Sequence, residues 1–233
     1  MAERVSFLRQ TAAIVRKDLR AEWRSREVLV TSAFFGFTVV LVFSFSFFRG
    51  DAPLSVVSAG IMWVSVTFAG NLALSRIFER ERIGQGLKGL LMLGARPSAI
   101  FAGKLIGVVL LLTLVQAVVT VAVVFFFSLG LDALRWCALA GTLFLGGVGF
   151  SALGVILSAV LLDAKGREVL LSVVLIPLVL PVLIIGVKAT TSILETNVQW
   201  DQLRLWLRVL LAFDIVFVYA GAWLFGPVTI ESS

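Results

Sequence analysis

The sequence contains no histidine and a single cysteine, Cys137, which lies inside an apolar run. Disulfides need cysteine pairs, and zinc sites and proton-transfer catalysis depend largely on histidine and cysteine. We therefore expect no disulfide framework, no metal site and no histidine-dependent catalysis. Charged residues are scarce as well, because they make up 15% of the 233 residues, against about 25% in an average soluble domain.

Two segments resemble nucleotide-binding motifs but lack required features, and the N-terminal segment lacks the features of a signal peptide. Residues 84–89 match G-x-G-x-x-G, but no predicted strand precedes them. Gly103 and Lys104 resemble the end of a P-loop, but Leu105 stands where the motif requires Ser or Thr. The first 27 residues carry charges throughout and have no apolar core of the kind found in a signal peptide. We therefore expect no cleavable signal peptide and no ATP site in this chain, so any ATP must bind a partner subunit.

Apolar residues make up 60% of the chain. They cluster in six stretches, at about 28–48, 54–75, 105–129, 136–162, 169–187 and 205–225. Each stretch is long enough to cross a hydrocarbon core of about 30 Å as a helix. The sequence thus predicts an all-α membrane protein with six transmembrane helices.

The connections between the spans differ in their positive charge. Fifteen Lys and Arg residues lie in the N-terminal segment and the second and fourth connections, against four on the other side. The positive-inside rule therefore places both termini in the cytoplasm. We expect the basic residues behind the net charge of +6 to contact lipid and partner proteins, and we expect no nucleic-acid partner. The predicted parts are a cytoplasmic amphipathic helix (1–27), the transmembrane domain (28–225) and a short cytoplasmic tail (226–233). The outer segment 188–204 is long enough for a short interfacial helix.

The N-terminal segment has an apolar face and a basic face. Its apolar side chains recur every three or four residues, at Leu8, Ala12, Val15, Leu19 and Trp23. Arginines and a lysine cover the remaining surface, a pattern typical of a helix at an anionic membrane surface. The alternative is a solvated helix that packs on another subunit.

The connection 76–98 is longer than a simple link between two spans requires. Its first part is charged, its second part is apolar, and its glycines interrupt a uniform helix. These features predict a short amphipathic helix that docks on a soluble partner, and a helix that rests passively on lipid is the alternative. The candidate docking residues are Arg76, Phe78, Glu79, Arg80, Glu81, Arg82, Gly84, Gly86, Leu87, Leu90 and Leu91.

Among the polar residues inside the predicted spans, Asn71, Gln116 and Asp214 are the ones we single out. Polar groups at membrane depth are candidates for function. Asp214 is neutral, paired with another helix, or closer to the outer interface than the span boundary suggests. A single acid without histidines makes a poor proton pathway.

Small residues and prolines mark two of the later spans. The fourth span contains two small-xxx-small pairs, at 147–151 and 154–158, which favour close helix packing. The fifth contains Pro177 and Pro181, each of which removes a backbone hydrogen bond, so this helix contains either a hinge or a fixed kink.

Three segments carry a resemblance to a known family. They are AGIMWVSVTFAGNLALSRIFERE (59–81), GQGLKGLLMLGARPSAIFAGKLIG (84–107) and GREVLLSVVLIPLVLPVLIIGVKA (166–189). In order, they resemble the second span, the cytoplasmic loop and the double-proline fifth span of the cytochrome c maturation protein B family. That family provides the membrane subunit of the so-called heme exporter.

The resemblance implies an ABC-exporter permease with a cytoplasmic coupling helix in the bacterial inner membrane. An ATP-binding cassette ATPase subunit would dock on the 76–98 connection and on the N-terminal helix, and two copies of each chain would assemble. The implied further partners are a heme-handling membrane subunit, a small accessory membrane protein and a periplasmic heme chaperone. ATP hydrolysis on the partner would drive heme export or release of the heme-loaded chaperone.

Heme iron usually takes a histidine ligand, which this chain lacks. Met62, Cys137 and Tyr219 are weaker candidates, and packing explains each of them better. We therefore expect no directly bound cofactor, with heme as a possible substrate of the complex. The competing hypotheses are an ATP-independent secondary transporter or channel, and a scaffold that transports nothing.

Overall fold

A computed structural model describes residues 6–47, 53–83, 86–92, 94–161 and 164–231, with the backbone alone at residues 82, 87, 88, 91, 167, 168 and 228–231. These residues form eight α-helices. They are α1 (Phe7–Ser25), α2 (Glu27–Ser46), α3 (Leu54–Ile83), α4 (Gly86–Met92), α5 (Pro97–Phe126), α6 (Ala133–Val160), α7 (Arg167–Leu194) and α8 (Trp200–Glu231).

The six predicted spans are confirmed as α2, α3, α5, α6, α7 and α8. Each contains a stretch of 20 to 30 residues that is apolar enough to cross a membrane, with a mean hydropathy between 1.5 and 2.9. The all-helical membrane architecture follows from this match between apolar length and bilayer thickness.

Two of the spans extend well past the predicted boundaries. The second was expected to end at 75, but α3 continues to Ile83. The apolar part of the third was expected from 105, with Pro97 and Ser98 favouring an earlier start of its helix, and α5 does begin at Pro97. Each has 30 residues, or about 45 Å at 1.5 Å per residue, so both helices project beyond a core of about 30 Å. Hydropathy marks where the apolar part ends, whereas a helix continues through charged residues once it leaves the lipid.

Two other boundaries also differ from expectation. The segment 188–204 contains no separate interfacial helix, because α7 runs to Leu194 and α8 begins at Trp200. The predicted tail at 226–233 continues α8 to Glu231, through Pro227.

Helix α6 occupies the centre of the bundle and packs against α5, α7, α8 and α3. Its glycines make room for larger side chains from these neighbours. The ring of Trp63 fills the space beside Gly146, Leu74 fills that beside Gly154, and the Gln116 amide lies against Gly147. The small residues of this span therefore serve close packing, as the small-xxx-small pattern predicted.

Helix α1 runs beside the first turns of α5, in the same direction. The side chain of Gln10 accepts a hydrogen bond from the Arg96 amide at 3.1 Å, and Ile14 packs on Gly103 further along. A left-handed residue, Arg26 (φ 53°), then ends α1 and starts α2. We call the end of the bundle that carries α1, α4 and the start of α5 the α4 end.

Candidate functional site

Lys104 is the buried ion at the centre of the α4 end. Its side chain is 2% exposed, and its ammonium lies 2.8 Å from Asp18 of α1 and in direct contact with Glu81 of α3. A buried ammonium is costly unless carboxylates compensate its charge. The pairing therefore holds α1, α3 and α5 together at one point.

Further ion pairs connect α1 and α3 around Lys104. Lys17 lies 2.8 Å from Asp18 and 4.0 Å from Glu81, and Arg80 lies 3.2 Å from Glu22. The charge cluster is defined here as Lys17, Asp18, Glu22, Arg80, Glu81 and Lys104. Glu22 also accepts a hydrogen bond from the Leu29 amide at 2.8 Å, which fixes the junction between α1 and α2. Glu27 and Arg76 extend the pairing at the rim of the cluster, 3.9 Å apart.

The carboxylates of the cluster stabilise the charged form of Lys17. Burial by itself lowers the pKa of Lys17, but the hydrogen bond to Asp18 and the charges of Glu81 and Asp18 outweigh burial and raise that pKa above its ordinary value. Lys17 thus remains protonated at neutral pH.

A cavity of about 330 Å³ opens beside the charge cluster. Its polar walls carry three cations and three carboxylates from the cluster, and Ile77, Gly107 and Val108 provide apolar walls. Because the two signs balance, the cavity has no excess charge with which to attract an anion such as a phosphate. The arrangement suits a mechanical joint between helices better than a ligand site.

Two of the predicted docking residues point inward, contrary to expectation. Phe78 is 6% exposed and belongs to the apolar core, and Glu81 is buried in the charge cluster. The reason is that α3 continues as a regular helix, so its side chains rotate by about 100° per residue and alternate between bundle and surface. Glu79 lies on the exposed side, and Arg76 and Arg80 are partly exposed in ion pairs.

Helix α4 lies directly behind Glu81. Its first residue, Gly86, is so close to the Glu81 carboxylate that a Cβ atom would overlap it, and Leu90 packs against the core. The helix ends at Met92. Gly94 then adopts a φ of 74°, and the amide of the next residue, Ala95, donates to the Leu90 carbonyl at 3.1 Å. Gly84 lies outside the described residues, as do the side chains of Arg82, Leu87 and Leu91.

Two exposed apolar residues at the α4 end are absent from the predicted set of docking residues. Ile83, the last residue of α3, is 78% exposed, and Met92, the last residue of α4, is 88% exposed. Their exposure depends on where the helices end, which the apolar pattern does not specify. Glu79 of α3 is exposed as well, and we refer to Glu79, Ile83 and Met92 together as the exposed patch of the α4 end.

The apolar residues predicted on one face of α1 line a surface that faces away from the bundle. Leu8 and Trp23 are 73% and 76% exposed, and Leu19 and Val15 lie between them. The neighbouring face, with Thr11, Ile14 and Asp18, packs on α5. Contact of the outer face with lipid stays a prediction.

The three polar residues inside the spans occupy three different helix contacts. Asn71 donates a hydrogen bond to Ser172 of α7 at 2.8 Å, and Gln116 donates to the Leu143 carbonyl of α6 at 3.0 Å. Asp214 of α8 is 5% exposed, which excludes a position at the surface. It lies against Gly149, and within the described part of the chain neither of its oxygens has a hydrogen-bond partner.

The proline helix and the weak heme-ligand candidates remain apart from the α4 end. Helix α7 is continuous through Pro177 and Pro181, both of which are exposed, so a hinge there stays a prediction. Met62 is fully buried in α3, whereas Cys137 and Tyr219 are exposed on α6 and α8.

The similarity to known proteins extends from α1 to α8. The family model described as CcmB protein matches residues 9–227. Heme exporter protein B of Haemophilus influenzae is 29% identical over 183 residues, which are 78% of this chain and 80% of that protein. Heme exporter protein B of Bradyrhizobium diazoefficiens is 28% identical over 183 residues, which are 78% of this chain and 82% of that protein.

Proposed function

Because the chain belongs to the CcmB protein family, we propose that it is the membrane subunit of an ABC-type complex in cytochrome c maturation. In this role it couples ATP hydrolysis on a partner subunit to heme export or to release of a heme-loaded periplasmic chaperone. Two relatives named heme exporter protein B, each similar over more than three quarters of the chain, support the proposal.

The proposed location is the bacterial inner membrane, with both termini and the α4 end in the cytoplasm. The support is the asymmetry of Lys and Arg between the connections. In this orientation, the patch formed by Glu79, Ile83 and Met92 faces the compartment that contains ATP.

The observation that carries the coupling proposal is the position of Glu81 between α4 and Lys104. A force on α4 reaches Glu81 through Gly86, and from Glu81 it reaches α5 and α1 through Lys104 and Asp18. The ATPase subunit would therefore push on three helices at once, because the charge cluster connects them. Two copies of the chain would bind two ATPase subunits.

Heme would be bound by the heme-handling membrane subunit of the complex rather than by this chain. The absence of histidine from the sequence supports this, as do the separate positions of Met62, Cys137 and Tyr219. A small accessory membrane protein and a periplasmic heme chaperone complete the proposed assembly.

The docking patch can be tested with a charge reversal. Glu79→Lys should detach the ATPase subunit or lower its hydrolysis at least several-fold, because it places a cation in the exposed patch without touching the charge cluster. The matched control is Lys165→Glu, which reverses an exposed charge on the α6–α7 connection at the same end. The measurement is ATPase co-purification and turnover, with thermal unfolding as a check on folding.

The other outcomes separate the proposed role from its competitors. Normal ATPase binding and hydrolysis in Glu79→Lys, and also in Met92→Asp, would remove this patch from the coupling role. An ATPase that binds normally but whose hydrolysis has no effect on heme delivery would favour a scaffold. Heme delivery that continues without any ATPase would favour a secondary transporter or channel.

A further inference from the structure

A groove of about 950 Å³ lies on the outer side of α1, away from the charge cluster. Its apolar wall consists of the exposed face of α1, from Leu8 through Val15 and Leu19 to Trp23, and of Ile106 on α5. Leu8 and Trp23 are 15 residues apart, so the groove extends over about 22 Å of helix. Such a length matches an extended acyl chain rather than a small polar solute.

The groove is continuous with the outer surface of a membrane-spanning helix. Ile106 and Leu110, one turn apart on α5, are each 43% exposed and face away from the bundle. A lipid in contact with α5 at Leu110 can therefore extend along α5 to Ile106 and into the groove.

Two arginines give the groove a charge preference. Arg16 and Arg20 line it and are one helical turn apart, so their guanidinium groups can approach the same anion. Among the described residues neither forms an ion pair, in contrast to Lys17, whose charge Asp18 compensates. Paired arginines above an apolar wall match a phosphate group attached to an acyl chain.

We propose that the groove between α1 and Ile106 is a binding site for an anionic phospholipid. The phosphate binds Arg16 and Arg20, and one acyl chain lies along Val15, Leu19 and Ile106. Because the other face of α1 is tied to Lys104 through Asp18, the bound lipid stabilises the helix that carries half of the charge cluster. This site does not depend on the proposed function.

The test is lipid retention by the purified full-length chain, measured by native mass spectrometry with palmitoyl-oleoyl phosphatidylglycerol and with phosphatidylcholine of the same acyl chains. Wild-type protein should retain phosphatidylglycerol and exchange phosphatidylcholine freely. Arg16→Gln/Arg20→Gln should weaken phosphatidylglycerol binding at least about tenfold, because charge-assisted hydrogen bonds are lost.

A matched pair of variants separates a defined site from general attraction. Arg9→Gln/Arg24→Gln removes the same charge from the same helix outside the groove and should leave retention unchanged. Ala12→Phe fills the apolar wall without changing charge and should weaken retention as well. Inorganic phosphate should not displace the lipid.

Three results would overturn the proposal. Equal losses in both double variants would mean diffuse electrostatic attraction. Equal retention of phosphatidylcholine would mean apolar contact without headgroup recognition. Displacement by inorganic phosphate, with full retention in Ala12→Phe, would mean an anion site that ignores the acyl chain.

Discussion

At the residue scale, Lys104 shows that a cation counted as an orientation signal in the sequence can form a buried structural ion pair in the fold. Counted along the sequence, it is one of fifteen cations that indicate orientation. In the fold it is 2% exposed and paired with Asp18 and Glu81. Its partners lie 86 and 23 residues away, so no local pattern could have indicated the pairing.

Removing the Lys104 charge should destabilise the protein. Among the described residues, Lys104→Met leaves Glu81, which is 8% exposed, with the more distant Lys17 as its cation, and breaking a buried ion pair typically costs about 3–5 kcal/mol. The partial exposure of Asp18 should place the loss toward the lower end of that range. Thermal unfolding in detergent, followed by tryptophan fluorescence, measures it.

A second substitution shows whether the unpaired charge is the cause. Adding Glu81→Gln to Lys104→Met should recover part of the lost stability, because no buried carboxylate then lacks its partner at that position. The exposed Lys165 provides a control, and Lys165→Met should unfold like the wild type. Wild-type unfolding of Lys104→Met would contradict the structural role of the pair.

Helix α6 shows at the element scale how small residues set the spacing of the bundle. Trp63 of α3 donates its indole N–H to the Thr190 hydroxyl at 2.9 Å, and its ring fills the space beside both Gly146 and Gly186. The hydrogen bond and the packing of the ring leave it little freedom to move. Close approach of α3, α6 and α7 thus depends on the absence of a side chain at those two glycines.

Adding a methyl group on α6 should therefore have opposite effects at two positions. Gly146→Ala should destabilise by about 1–3 kcal/mol, because the new Cβ overlaps the Trp63 ring. Gly141→Ala, on the same helix but facing open space, should be neutral or stabilising by up to about 1 kcal/mol. Thermal unfolding of both variants is the measurement, and equal effects would refute this packing account.

The sequence predicted the elements inside the membrane better than those outside. The six spans were found because a bilayer of fixed thickness demands a fixed apolar length. The extension of α3 was missed because charged residues such as Glu79 and Arg80 continue a helix as well as apolar ones do, whereas Pro97 did indicate where α5 begins. For the same reason Phe78 and Glu81 were assigned to a docking surface although the helix turns them inward.

At the scale of the whole molecule, the structure divides into a tightly packed bundle and a joint at the α4 end. The polar residues inside the bundle form separate helix contacts, and most of the ion pairs lie where α1, α3 and α5 meet. Among the described residues, apolar side chains become exposed beside α4, at Ile83 and Met92. A membrane subunit that receives force from a soluble partner needs this combination of a rigid joint and an exposed patch.

We propose above all that an ATPase subunit binds the α4 end of this CcmB-family protein. Purification from native membranes in mild detergent, with mass spectrometry of the co-purified subunits and a spectrum of the heme absorption band, tests it most directly. We expect a stoichiometric ATPase subunit, and heme that disappears once the other membrane subunits are removed. Recovery of the intact chain without any ATPase, or of heme that stays with this chain alone, would contradict it.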